Sequence, residues 1–86
     1  MEEYGLITFK STQFALAGEK IFENEGIIFK TIPTPRDVSH SCGLSLLFAL
    51  DDLEKAKELI NSNKIEIDEL YKYTKERHKG RAEKIL

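Results

Sequence analysis

The sequence predicts a small α+β domain in which two helices pack on one face of an antiparallel sheet. Short runs rich in β-branched and aromatic residues alternate with two segments whose apolar residues repeat at helical spacing, in the order β-α-β-β-α-β. The chain has 86 residues, 41% of them hydrophobic, which allows one modest core. The simplest architecture for this order is ferredoxin-like, with a four-stranded antiparallel sheet of order 4-1-3-2.

The first strand and the first helix follow from the beginning of the chain. Residues 4–9 are rich in strand-forming side chains, and Ser11 is suited to cap a helix. The apolar positions that predict the buried face of this helix are Phe14, Ala17, Gly18, Ile21 and Phe22. Gly18 costs about 1 kcal/mol of helix propensity, so we expect close approach of helix and sheet there. We expect Gly26 to end the helix.

The remaining elements follow in order. Residues 27–32 predict the second strand, and residues 44–50 predict a third strand that is apolar on nearly both faces and therefore central. Asp51 or Asp52 is suited to cap the second helix. The buried stripe of that helix is predicted to be Leu53, Ala56, Leu59 and Ile60. Residues 65–73 predict the fourth strand.

The chain divides into one domain and a charged tail. Residues 1–73 contain all the predicted elements, and residues 74–86 have little apolar content before Ile85. Three alternatives stay open for this tail: a solvated helix, a frayed terminus, or a contact between copies of the chain.

The loop between the second and third strands is the predicted active segment. It holds both prolines of the chain, Pro33 and Pro35, which stiffen the backbone. It takes about nine residues, whereas a hairpin connection usually needs about 2–5. The loop leads to the only cysteine, Cys42. An oversized, stiffened loop that ends in a single thiol indicates a function beyond connection.

Several groups near Cys42 are suited to stabilise a thiolate, which is the reactive form of cysteine. Arg36 and His40 lie in the loop itself, and the predicted topology brings Lys10 and the start of the first helix to the same edge of the sheet. This helix start adds Ser11 and Thr12 to the candidate site. Ser41 offers a hydroxyl to an anion on the sulfur, and Gly43 permits close approach of a substrate.

Composition, charge and residue spacing argue against several other classes of protein. The net charge of −2 gives no basic footprint for nucleic acid, and no apolar run approaches the length of a membrane span. One cysteine cannot form an internal disulfide, and the spacing of His40, Cys42 and His78 does not indicate a metal site. The N-terminus lacks the pattern of a secretory signal, so we expect a free thiol in a reducing cytoplasm.

Two blocks of this sequence resemble a known family. The run ITFKST at 7–12 and the run IPTPRDVSHSCGLSL at 32–46 are similar to the small domain family named putative selenium/sulfur (Se/S) carrier protein-like. The resemblance implies that Cys42 holds a persulfide or perselenide, with Arg36, Ser41 and Gly43 as its motif companions. It implies at most a sulfurtransferase-type carrier, without any cofactor beyond that transient group. Its partners would be a donor enzyme such as a cysteine desulfurase and an unknown acceptor protein.

Two other readings stay open. In the first, the domain is a non-catalytic module that binds a small anion or a protein, forms a homodimer through its sheet, and keeps Cys42 inert. This reading has weight because a lone cysteine is often a small buried hydrophobe. In the second, Cys42 is a redox sensor that forms an intermolecular disulfide. The pH dependence of alkylation at Cys42 separates a reactive thiol from an inert one.

Overall fold

The computed structural model describes residues 2–35, 38, 43–76 and 79–85. Its elements are β1 (Glu2–Thr8), α1 (Thr12–Asn24), β2 (Phe29–Pro33), β3 (Leu44–Ala49), α2 (Leu53–Asn61), β4 (Glu69–Glu76) and β5 (Lys79–Lys84). A single 3₁₀ turn, Leu50–Asp52, leads into α2. The strands form one sheet of order β2-β3-β1-β4-β5, in which every neighbouring pair is antiparallel.

The prediction of a four-stranded sheet is wrong, because the sheet has five strands. From its other edge the order reads β5-β4-β1-β3-β2, so β5 adds a strand beyond β4. The fourth strand begins at Glu69 rather than at residue 65, continues to Glu76, and pairs with β5. Of the alternatives for the C-terminal tail, a helix is therefore also wrong for residues 79–84, which form β5. An edge strand has one neighbour and tolerates charged side chains, which is why β5 lacks the apolar signal of an inner strand.

Both helices pack on the same face of the sheet. Ala15 and Phe22 of α1 and Ala56 and Leu59 of α2 belong to one buried cluster. The sheet contributes residues from its inner strands to the same cluster, among them Ile7, Leu46, Phe48 and Leu70. The predicted stripe of α2 is confirmed, with Ala56 and Leu59 buried and the other two residues packed against them.

Helix α1 is capped as predicted but is rotated about its axis relative to the prediction. The Ser11 hydroxyl accepts a hydrogen bond from the Phe14 amide, and Gly26 follows the C-cap with φ of 73°. The buried residues are Ala15, Gly18 and Phe22, while Phe14 and Ala17, which were predicted to be buried, are exposed. A Cβ on Gly18 would lie 2.8 Å from the Phe9 ring, so this glycine sits at the point of closest approach. That contact fixes the rotation of α1 and turns Phe14 outward.

Candidate functional site

The loop between β2 and β3 is closed at its base by backbone and side-chain hydrogen bonds. The Thr34 amide donates to the Gly43 carbonyl oxygen at 2.8 Å, and the hydroxyl oxygens of Thr34 and Ser45 lie 2.7 Å apart. Gly43 has φ of 81°, a left-handed conformation that disfavours other residues. The glycine after Cys42 is therefore required for the turn of the chain into β3, which is a reason that the sequence analysis did not give.

Val38 attaches the middle of the loop to the sheet. Its amide donates to the Pro35 carbonyl oxygen at 3.0 Å, and its side chain is 3% exposed. Val38 forms a second hydrophobic cluster with Leu6 and Tyr71. Since Leu6 alternates with the helix-facing Ile7, this cluster lies on the sheet face opposite the helices. Val38 therefore lies against the face of the sheet opposite the helices.

Sequence reasoning missed Val38, although a signal was present. It is the only aliphatic residue between Pro35 and Gly43, and an isolated aliphatic residue in a polar loop marks a place where the loop can be held by the core.

Buried hydroxyl groups join four strands at the end of the sheet where the loop begins. Thr8 and Ser45 are paired across β1 and β3, and both are fully buried. The Thr8 hydroxyl accepts a hydrogen bond of 3.0 Å from the Glu69 amide of β4, and Ser45 contacts Thr34 after β2. Among the described residues, no buried side-chain nitrogen or oxygen lacks a hydrogen-bond partner. The base of the loop therefore rests on buried hydroxyl groups whose hydrogen bonds are satisfied.

The residues predicted to surround Cys42 divide into two groups. Lys10 is exposed, Ser11 caps α1, and Thr12 is the first residue of that helix. The pairing of Thr8 with Ser45 brings the end of β1 beside the beginning of β3, so these three residues and Gly43 share one edge of the sheet. The other candidates lie outside the described residues: Arg36, His40, Ser41 and Cys42. The proximity of the two groups therefore stays a prediction.

The part of the chain that the structure describes contains no group of three or more histidine, cysteine, aspartate or glutamate residues that could hold a metal ion. No helix within those residues is long and apolar enough to cross a membrane.

Comparison with known proteins gives a family for this domain. The model of the family described as Putative Se/S carrier protein-like matches residues 4–72. The chain belongs to this family. The match contains β1 from Tyr4 onward, both helices and the entire loop with Cys42, whereas β5 lies beyond it. No curated protein and no solved structure matches the chain.

In this Se/S carrier-like chain, a charged group lies on the same sheet face as Val38. The Tyr71 hydroxyl donates to one Glu69 carboxylate oxygen, and Lys84 Nζ lies 2.7 Å from the other. Hydrogen bonds from Lys84 and Tyr71 lower the pKa of Glu69. Burial, together with the neighbouring Glu69, raises the pKa of Tyr71 to about 12. At neutral pH, Glu69 is therefore an anion, and the Tyr71 phenol is neutral and remains a hydrogen-bond donor.

This cluster connects the family domain to its C-terminal strand. Lys84 belongs to β5, outside the matched residues, while Tyr71 packs against Val38 inside the loop. The sequence did not indicate the cluster of Glu69, Tyr71 and Lys84, because residues 79–84 carried no strand signal and their pairing with β4 was not foreseen.

Proposed function

We propose that this chain carries sulfur or selenium on Cys42. The family match supports the proposal, and its main structural support is the loop that precedes this cysteine. That loop is closed at Thr34 and Gly43 and held to the sheet by the buried Val38. A carrier has to present one thiol to two different partner proteins, which requires a loop with a defined path. A solvated connection would need none of these contacts.

The chemistry is an exchange between a thiolate and a persulfide. The Cys42 thiolate attacks the terminal sulfur of a persulfide on the donor enzyme. A new S–S bond forms at Cys42 as the donor S–S bond breaks, and its electron pair leaves with the donor sulfur as a thiolate. The proton stays on the terminal sulfur as this atom moves to Cys42, so the transfer involves no net oxidation. In the second transfer, an acceptor thiolate attacks the terminal sulfur of the Cys42 persulfide, and Cys42 leaves as the thiolate.

Neighbouring groups are proposed to keep Cys42 ionised. Arg36 and the N-terminal amides of α1 would stabilise its negative charge, with Lys10 and His40 as additional cations. The hydroxyl of Ser41 and the cap formed by Ser11 and Thr12 would shape the surroundings of the sulfur. Sulfur is the cargo in this scheme, so the carrier needs no resident cofactor.

Intact-protein mass spectrometry tests the proposal. The purified chain is incubated with a cysteine desulfurase and cysteine, and we expect a mass increase of one sulfur atom that a reductant removes. Cys42→Ser is expected to lose the addition and to retain its fold by circular dichroism. Cys42→Ser loading to the wild-type extent would contradict the proposal, as would a wild-type chain that gains no sulfur. A parallel incubation with a selenium donor compares the two elements.

The pH dependence of alkylation tests the role of Arg36. We expect the Cys42 pKa to lie below the ordinary thiol value of about 8.5 and to rise in Arg36→Ala. Lys30→Ala removes an exposed cation from β2 and serves as the control with an unchanged profile. An Arg36→Ala profile identical to that of the wild type would show that this guanidinium does not act on the thiol. A thiol that reacts only at alkaline pH and gains no sulfur would favour the inert-cysteine binding module.

A further inference from the structure

Strand β2 forms one edge of the sheet, and the direction of its backbone groups follows from the loop closure. In an antiparallel pair, residues alternate between positions that bond to the neighbouring strand and positions that point away from it. The Thr34–Gly43 hydrogen bond continues the register of β2 with β3, in which Pro33 faces Leu44. The N–H and C=O groups of residues 30, 32 and 34 therefore point toward β3. Those of Phe29 and Thr31, and the C=O of Pro33, point outward.

These outward groups are available for pairing. The structure gives them no backbone hydrogen-bond partner among its described residues. The opposite edge, β5, is protected by charge, since four of its six residues are charged: Lys79, Arg81, Glu83 and Lys84. Strand β2 (FKTIP) carries a single charge. Of the two edges, β2 is the one suited to accept another strand.

Exposed apolar side chains lie beside this same edge. Ile28, directly before β2, is 85% exposed, and Leu16 of α1 is 55% exposed. The Thr31 hydroxyl donates to the Glu19 carboxylate, which shows that this side of α1 faces β2. Leu16 lies one turn before Glu19 on the same side of the helix. Ile28 therefore places an exposed apolar side chain directly next to the open edge, and Leu16 adds another on the neighbouring side of α1.

We propose that a second copy of this chain pairs with β2 in antiparallel fashion, with a twofold axis at Thr31. Thr31 faces its own counterpart, and the two residues exchange two backbone hydrogen bonds. The Phe29 amide donates to the Pro33 carbonyl oxygen of the second copy. The Phe29 carbonyl oxygen receives no bond in return, because proline has no N–H, so this pair contributes one hydrogen bond instead of two. The two five-stranded sheets become one continuous sheet across the interface.

The side-chain pairs in this register favour self-association. The symmetric arrangement places Lys30 opposite Ile32 of the second copy, so the two Lys30 ammonium groups do not face each other. The central pair is Thr31 with Thr31, a combination that is favourable across antiparallel strands. A shift of the axis to residue 30 would bring the two lysines together, so that register is less favourable than the one centred on Thr31.

The proposed pairing also brings an apolar side chain of the second copy to the base of the loop. The register that joins Thr31 to Thr31 places Ile28 of the second copy opposite Thr34, at the base of the loop that leads to Cys42. Each copy thus covers the base of its partner's loop with the apolar side chain that is 85% exposed in the single chain. The inference goes beyond the proposed function and stands independently of it, because it does not require Cys42 to react.

Light scattering after size exclusion tests the proposal, with sedimentation equilibrium to measure the dissociation constant. We expect the wild-type chain to have twice its mass of 9.9 kDa and to dissociate on dilution. Thr31→Pro removes an outward N–H and leaves the bonds to β3 in place, which is the setting in which edge strands accept proline. We expect it to raise the dissociation constant by about tenfold or more.

A pair of charge variants distinguishes the proposed register from other contacts. Thr31 is exposed, so Thr31→Lys and Thr31→Glu are expected to fold. Each places like charges opposite each other at the axis and is expected to be monomeric, whereas their mixture restores a dimer. A wild-type chain that is monomeric at every concentration would overturn the proposal. Dimers that persist in all three variants, or a mixture that stays monomeric, would do the same.

Discussion

The amide of Thr34 donates a hydrogen bond of 2.8 Å to the carbonyl oxygen of Gly43, and this bond closes the loop that carries Cys42. It also continues the ladder between β2 and β3 by one residue, so the loop begins at a fixed point of the sheet. Val38 then attaches the loop to the opposite side of the sheet from the helices. These contacts are the basis of the predictions for the loop.

Gly43→Ala is expected to destabilise the domain. Its φ of 81° is strained for a residue with a Cβ, and the left-handed conformation costs about 1–2 kcal/mol. Urea denaturation measures the change in the free energy of unfolding. Gly43→Asn is the matched control, since asparagine tolerates this conformation better and is expected to cost less. Equal stability of the alanine variant and the wild type would show that the strain is absent.

Val38→Ala is expected to loosen the loop and lower stability. The side chain is 3% exposed, and removal of its two methyl groups should reduce the free energy of unfolding by about 1–3 kcal/mol. Hydrogen exchange should accelerate at the Val38 amide more than in β1. Glu66→Ala, at an exposed position before β4, is expected to change stability by less than about 0.5 kcal/mol. Unchanged exchange at Val38 would argue against its role as an anchor.

Gly18→Ala is expected to destabilise the domain although alanine favours helices. The added Cβ would lie 2.8 Å from the Phe9 ring and 3.1 Å from Ile65, and both of these side chains are buried. The overpacking cost of about 1–3 kcal/mol exceeds the gain of about 1 kcal/mol from helix propensity. Ala17→Gly, at the adjacent exposed position, isolates the propensity effect. Stabilisation by Gly18→Ala would contradict the close packing.

Lys84→Met is expected to lower stability at neutral pH and to have no effect in strong acid. Lys84 and Tyr71 hold the pKa of Glu69 below its ordinary value of about 4.3. A lowered pKa in the folded state contributes stability that is present above the ordinary value and is lost as the pH falls through the folded value. The difference between Lys84→Met and the wild type should therefore disappear as Glu69 becomes protonated.

Unfolding curves measured between neutral pH and about pH 2 check this prediction. Lys75→Met is the control, because Lys75 also lies on this sheet and makes no ion pair with any described residue. A difference that persists unchanged in acid would mean that Lys84 acts through packing of its aliphatic chain.

The ends of α1 could be predicted from sequence because local chemistry decides them. Ser11 and Gly26 act within a few residues of their own positions, and both lie where the pattern placed them. The rotation of α1 depended on its contact with Phe9, so the periodicity alone placed Phe14 on the wrong side. For the site, sequence identified the loop and its cysteine, whereas the closure by Thr34 and the anchor at Val38 depended on the folded sheet.

The sequence by itself determined the α+β class, the two helices, the cap of α1, the strands that surround the loop, and the resemblance to the Se/S carrier-like family, because these depend on local periodicity and short motifs. The predicted cap of α2 is different, since Asp52 occupies the N-cap position but its side chain makes no capping hydrogen bond. Only the tertiary structure decided that residues 79–84 pair with β4, since an edge strand needs a partner rather than an apolar run. It also decided that Val38 packs against Leu6 and that Lys84 pairs with Glu69. Such contacts join residues far apart in the chain, and no local pattern encodes them.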